Sequence, residues 1–311
     1  MSTLLASANA HLAKGETNDA LTYYDVAISR DPQNYLTYFK RATTYLSLGR
    51  TAQATQDFDK VLGIKPGFEG ALQQRAKIKA KAGDWEAARK DFIAHGKSVE
   101  DLAELEEAEG AAKIAFAAEK SGNWEECVAQ SGVAIVVASR MSSLRKTRAH
   151  CRFERGEVQE GMSDLKHVLQ MQAGQTEPHI QISAITFYAL ADLEHGMEQL
   201  RKCLHSDPDS KSCKKLYRRE KTLDKQLAQV NKFFEKKQYA SGLKLLLPSG
   251  EDVGMVQEVK DDVKELREAD TIPHNAPNDF VTTVVEMVCE AYHEVWTLRE
   301  CRSEDGLTRN R

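Results

Sequence analysis

Ala20, Tyr24, Ala27 and Pro32 recur 34 residues later as Ala54, Phe58, Val61 and Pro66, and Gly15, Gly49 and Gly83 carry the same interval into a third copy. A unit of that length holds two short helices and their turns, and it is too small to bury an apolar face except against the next unit. Small residues fall where paired helices would touch most closely: Ala8 with Ala20, Ala42 with Ala54, Ala76 with Ala88. Large ones fill the seam between them, Tyr45 with Phe58 and Leu72 with Phe92. The glycine at position fifteen of each unit ends the first helix by accepting a left-handed conformation. The proline at position thirty-two stops the second, because it cannot continue a helix.

This is the pattern of the tetratricopeptide repeat (TPR). It predicts an all-α chain, a TPR superhelical solenoid of about seven helix-turn-helix repeats. After Phe92 the register slips, since the next turn glycine, Gly122, comes 39 residues after Gly83. The intervening acidic run Glu100 to Glu107 reads as a lengthened, solvated helix, expected to bend the solenoid between two subdomains. Gly122 and Gly156 restore the 34-residue spacing. The expected organisation is repeats one to three over 1–107 and repeats four to six over 108–207. A degenerate seventh repeat and a following helix take 208–270, with Lys237 where a turn glycine would stand. Residues 271–311 read as a linker, the first helix of a partial eighth repeat and a polar tail from Thr297. A solenoid usually closes with a polar capping helix, so this ending reads as the N-terminal portion of something longer or as an imperfectly defined end.

Composition narrows the function. The net charge is −4, from 43 basic and 47 acidic residues, which is no footprint for nucleic acid. No apolar run reaches the length of a membrane span. Met1 to Leu5 lead straight into helical pattern without a secretory signal, leaving two readings: a cytosolic chain, or one whose signal is not in this text. None of the phosphate-loop, dinucleotide, zinc-protease or nucleophile-elbow motifs occurs. His11, His95, His150, His167 and His179 are scattered within helical pattern. The chain therefore reads as a binding protein and not an enzyme, with no cofactor and no metal.

Six cysteines, Cys127, Cys151, Cys203, Cys213, Cys289 and Cys301, show no zinc-type spacing. Cys127 and Cys151, each inside a helix pattern, read as small buried residues. Cys203 and Cys213 flank the turn at Asp207-Pro208-Asp209, which would bring them close enough for a bridge to be geometrically possible.

On the first helix of each repeat, positions 2, 5, 9 and 12 share a face distinct from the packing face at 4, 8 and 11. That face carries Leu5, Asn9 and Leu12 in the first repeat, beside Ser2, and Leu36, Phe39, Thr43 and Leu46 in the second. Most of these side chains are large and apolar where helix packing does not demand it, which leaves two readings: partial cover by neighbouring helices or a terminal segment, or an exposed trough for unfolded polypeptide. The competing use of such a groove, a cationic clamp on the C-terminal carboxylate of a heat-shock ATPase, needs Lys, Asn and Arg at places held here by Leu5, Asn9, Lys40, Gly70 and Gln74. Only Asn9 fits, so the clamp is rejected.

The run Leu200 to Cys213, continuing from Leu223 to Leu246, and the stretches Asp31 to Tyr35 and Arg41 to Thr43 resemble the multi-repeat J-domain co-chaperones of the endoplasmic reticulum lumen, also described as inhibitors of the interferon-induced protein kinase. The resemblance extends more weakly from the start of the chain to about residue 250. It implies a co-chaperone region that holds misfolded proteins for handover to the lumenal chaperone BiP in the unfolded protein response. It also implies an eIF2-alpha kinase as a partner and a lumenal location. Cys203 and Cys213 match a disulfide of that family, and a lasting disulfide implies an oxidising compartment. Cys289 and Cys301 are closer together than the family's second pair. No His-Pro-Asp tripeptide occurs, so the chain as written would hold a client without stimulating BiP through a J domain. The rival reading is a cytosolic TPR scaffold binding one folded partner.

Overall fold

The computed structural model describes residues 2–96 and 99–295. Among them are sixteen α-helices, and the only extended pairing is an isolated bridge between Ser249 and Asp252. The all-α expectation holds. The chain divides into two compact units, one of Met1–Ala118 with Ala129–Leu144, the other of Glu119–Val128 with Arg145–Arg311.

In the first unit the helices pair as α1 (Ser2–Ala13) with α2 (Thr17–Arg30), α3 (Tyr35–Ser47) with α4 (Thr51–Ile64), and α5 (Glu69–Ala82) with α6 (Trp85–His95). Each pair also stacks on the next through α2 with α3 and α4 with α5. The alanines at the expected close approaches, Ala8, Ala20, Ala42, Ala54, Ala76 and Ala88, have no exposed surface at all. That is what lets the backbones come together. Asn34 caps α3 by accepting from the Thr37 amide at 3.3 Å, and Asp84 caps α6 by accepting from Ala87 at 3.3 Å. The turn at Gly83 needs glycine twice over: its φ is +80°, and a Cβ there would stand 2.5 Å from the Met141 sulfur.

An ionic ladder runs through this unit at the repeat's own period. Arg41 donates to Asp57 from Nε at 2.8 Å and Nη2 at 2.6 Å, and from Nη1 to Asp25 at 2.6 Å. Thirty-four residues on, Arg75 does the same with Asp91, at 2.7 and 2.6 Å, and with Asp59 at 2.7 Å. Each guanidinium thus ties the second helix of its own repeat to the second helix of the repeat before. Asp57 and Asp91 are buried, and the two-pronged geometry is what makes a buried pair tolerable. Burial pushes the Asp91 carboxyl up, but the hydrogen bonds and charges of Arg75 and Lys79 outweigh it and leave it below the usual range.

The long helix α7 (Val99–Ser121) covers the acidic run, whose Glu100, Glu104, Glu106 and Glu107 are exposed while Leu105 and Ala108 are buried. It is the lengthened, solvated helix expected. Ala111, Ala112 and Ala115 of α7 pack with Ala134, Ile135 and Ala138 around α8 (Trp124–Val137) in the first unit.

The second unit holds the largest core, formed by α9 (Ser142–Glu154), α10 (Val158–Met171), α11 (Thr176–Ala184), α12 (Leu193–Ser206), α13 (Lys211–Glu235), α14 (Tyr239–Leu246), α15 (Met255–Glu268) and α16 (Asp279–Val295). Here the small position of the second helix is glycine and an aromatic lies over it. A Cβ would stand 2.4 Å from the Phe153 ring at Gly161, 2.7 Å from the Phe187 Cβ at Gly196 and 2.4 Å from the Phe234 ring at Gly242. Alanine faces alanine in the first unit, whereas at these three positions of the second a phenylalanine stands where a methyl would clash. Arg148 continues the ladder, donating to the buried Asp164 at 2.9 and 2.6 Å.

The sixth repeat departs from a plain helix pair. Past α11 the chain widens into a π-helical turn, Ile185–Ala189, and Ala191 takes a positive φ of 53° where other repeats use glycine. Lys237, at the place of the seventh turn glycine, likewise has a φ of 56°. α13, at 25 residues, is far longer than an ordinary first helix of a repeat, so it packs on α12 before it reaches α14. The break expected at Thr271 to Pro277 separates α15 from α16. The polar tail from Thr297, like Cys301, lies outside the described residues.

Candidate functional site

Of the seven trough residues, Leu5, Asn9 and Leu12 lie on α1 and Leu36, Phe39, Thr43 and Leu46 on α3. Leu36 is the most open of the apolar ones, at 43% exposure. Asn9 is exposed, and its Oδ1 accepts from the Tyr24 hydroxyl at 3.4 Å. Leu5 and Leu12 are half-buried against the Ala8, Ala20 and Tyr24 cluster, and Leu46 against the cluster around Phe58. Thr43 donates its hydroxyl to the Lys40 carbonyl at 2.8 Å.

Phe39 is not free of the packing face. Its ring meets Phe68 edge-on with centroids 5.0 Å apart and lies 5.9 Å from Phe58. Gly70 makes room for it, since a Cβ there would be 3.0 Å from the ring. The period-based assignment to an open face failed here because α5 brings Phe68 and Gly70 up to α3, a contact between repeats that position within one repeat does not reveal. The same contact recruits residues that the sequence reading missed. Tyr35 packs on Phe68 at 5.1 Å, and the Lys65 ammonium sits 4.7 Å over the Tyr35 ring. The half-buried aromatics Tyr35, Phe39 and Phe68 thus pack together at the α3 helix that also carries Leu36, and the clustering of four aromatics in Tyr35 to Phe39 and Phe68 was the available signal.

One disulfide matches the sequence reading and the other departs from it. Cys203 and Cys213 are bonded, with Cα atoms 6.5 Å apart, joining the end of α12 to the start of α13. Cys127 and Cys151 are buried as expected, but they too are bonded, with Cα atoms 6.2 Å apart. This corrects the expectation of two inert buried thiols: Cys127 holds the small position of its second helix, and Cys151 faces it from the next repeat. Their separation of 24 residues has no local turn to announce it. No free cysteine remains among the described residues, and no helix among them is long and apolar enough to cross a membrane.

A tetratricopeptide-repeat family model matches residues 23–56. The chain is 52% identical over 296 residues to the tetratricopeptide repeat and J domain-containing co-chaperone DNJ1 of Fusarium oxysporum, covering 94% of this chain and 57% of that protein. It is 32% identical over 226 residues to DnaJ homolog subfamily C member 3 of Homo sapiens, covering 69% of this chain and 44% of that one. The crystal structure of the P58(IPK) TPR domain superposes with a TM-score of 0.74 at 25% identity, over 94% of this chain and 78% of the other. The chain belongs to the TPR region of this DNJ1 and DnaJ subfamily C member 3 co-chaperone family.

Membership makes this the non-catalytic TPR region of a co-chaperone family. The chain spans about half the length of the curated relatives it matches. Sequence likeness and fold agree over nearly the whole chain, so the family's helix pairing and this chain's 34-residue period describe the same object.

Proposed function

We propose that this region holds apolar segments of unfolded or misfolded proteins on the α1 and α3 face, through Leu5, Asn9, Leu12, Leu36, Phe39, Thr43 and Leu46, for handover to BiP. The observation that carries the reading is Leu36, a large apolar side chain left 43% exposed on the helix that carries the half-buried aromatics Tyr35 and Phe39. Such a surface costs solvation unless something covers it, and loosely packed apolar and aromatic groups suit a binder that must accept many sequences. Handover itself would belong to the J domain named in the relatives, and an eIF2-alpha kinase is a further partner by family likeness alone.

The endoplasmic reticulum lumen is the proposed compartment. Two bonded cysteine pairs support it, because a reducing cytosol opposes lasting disulfides. They count against the cytosolic scaffold.

The test is suppression of aggregation of a denatured client protein. Leu36→Asp should weaken suppression several-fold while leaving the thermal melt in place, since the side chain is outside the core. Phe39→Ser would confound the two, because that ring supports the stack of α3 on α5. Undiminished suppression by Leu36→Asp, with the fold intact, would remove the groove from consideration.

A further inference from the structure

We propose a second binding surface, a groove between α10 and α12 that takes an acidic peptide segment carrying an aliphatic side chain. The groove has a volume of about 730 Å³, the size of a site for a few residues of peptide. Lys166 on α10 and Arg201, Lys202 and His205 on α12 line it. The single carboxylate among the lining residues, Glu198, is taken by Lys202 at 2.9 Å. Lys166 and Arg201 are exposed and make no ion pair among the described residues. The local charge thus opposes that of the whole chain, which is −4. A concavity with an uncompensated charge of one sign concentrates ligands of the other.

The floor is built. His179, buried to 5% exposure, lies between the Ala173 carbonyl, 3.1 Å from Nε2, and the Gln199 side-chain amide, 2.7 Å from Nδ1. A carbonyl can only accept, so Nε2 carries the proton and Nδ1 accepts from Gln199. The ring thereby pins α12 to the loop after α10, fixing the width of the groove. Leu169 and Ala173 give the floor an apolar patch between the cations. Exposed ion contacts alone are weak and screened, so a ligand gains from adding an aliphatic group there.

A peptide fits this arrangement better than the other anionic macromolecules. A phosphodiester chain is held by a run of cations along its path, and here they are gathered around one recess. A lipid surface takes up projecting apolar groups, and Leu169 is recessed and half-buried.

The probe is a fluorescein-labelled peptide of sequence Asp-Glu-Leu-Glu-Asp with blocked ends, followed by anisotropy at low and at physiological salt. Two counterparts accompany it, one with all acids as amides and one with serine for leucine. The acidic peptide should bind, and both counterparts should bind at least several-fold more weakly. Lys166→Ser with Arg201→Ser should loosen it by about tenfold or more. Lys221→Ser with Lys225→Ser, which removes the same charge from exposed positions of α13, should change it little. The fold is followed by the thermal melt, which the exposed, unpaired Lys166 and Arg201 leave unchanged. Equal losses from the two double variants would reduce the effect to diffuse charge and overturn the proposal. So would binding to phosphatidylserine vesicles, lost with Lys166 and Arg201, in the absence of peptide binding.

Discussion

Glu220 is completely buried on α13. The Ser183 hydroxyl lies 2.7 Å from the Gly196 carbonyl and 3.0 and 3.2 Å from the two Glu220 oxygens. The serine hydroxyl is thus shared between the Gly196 carbonyl and the Glu220 carboxyl, to which it donates. Burial favours the neutral form of its acid. Burial is the main cause, with the nearby Asp262 charge adding and the Ser183 hydrogen bond opposing, and together they push its pKa from 4.5 up to about 8. Asp262 is itself held by the Tyr188 hydroxyl at 2.9 Å and by Arg219, which also donates to Glu265 at 2.9 Å.

Because the folded value lies above the unfolded one, this group's contribution is fully present below about pH 4.5 and is lost progressively as pH rises to about 8. The shift corresponds to about 5 kcal/mol as an upper bound. Relaxation and entry of water on ionisation should reduce it to about 2–3 kcal/mol. Glu220→Gln keeps the shape and an oxygen that accepts from Ser183 but cannot ionise. Urea denaturation followed between pH 5 and pH 9 should show the two proteins nearly equal at the acid end. The variant should be about 2 kcal/mol or more ahead at the alkaline end. Other titrating groups are common to both, so the difference isolates Glu220. Parallel stability curves would refute the raised Glu220 pKa, and so would a variant that is weaker by a constant amount at every pH.

Asp91→Ala should cost about 3 kcal/mol or more in chemical denaturation, because it strands Arg75 and Lys79 beside a buried vacancy; a loss below about 1 kcal/mol would show the ladder to be decorative. Gly196→Ala should destabilise by about 2 kcal/mol or more, since the new methyl meets the Phe187 backbone at 3.1 Å as well as its Cβ, and a melt within a degree or two of the parent would count against that close approach. Replacing Cys127 and Cys151 by serine should cost about 3–4 kcal/mol and replacing Cys203 and Cys213 about 3 kcal/mol, on the loop-entropy model for separations of 24 and 10 residues. Non-reducing peptide mapping of the natural protein should recover both pairs, and crossed or free thiols would overturn the connectivity.

The 34-residue period by itself determined the helix pairs, the alanine contacts at Ala20, Ala54 and Ala88, the left-handed turns at Gly15, Gly49 and Gly83, and the helix ends before Pro32, Pro66 and Pro208. These depend on backbone geometry inside one repeat, which the order of residues encodes directly. The Cys203 and Cys213 pair was legible for the same reason, as a bridge across a single turn. The tertiary structure decided what depends on neighbours. Phe39 left its open face because Phe68 and Gly70 of the next repeat receive it, and Cys127 found Cys151 across an inter-repeat contact. The Arg41 and Arg75 ladder was written at the repeat period, yet its partners lie on two different helices, so only stacking made it an ionic clamp. Glu220 reads in sequence as one more charge on a basic helix. Burial beneath Ser183, not its place in the chain, favours its neutral form.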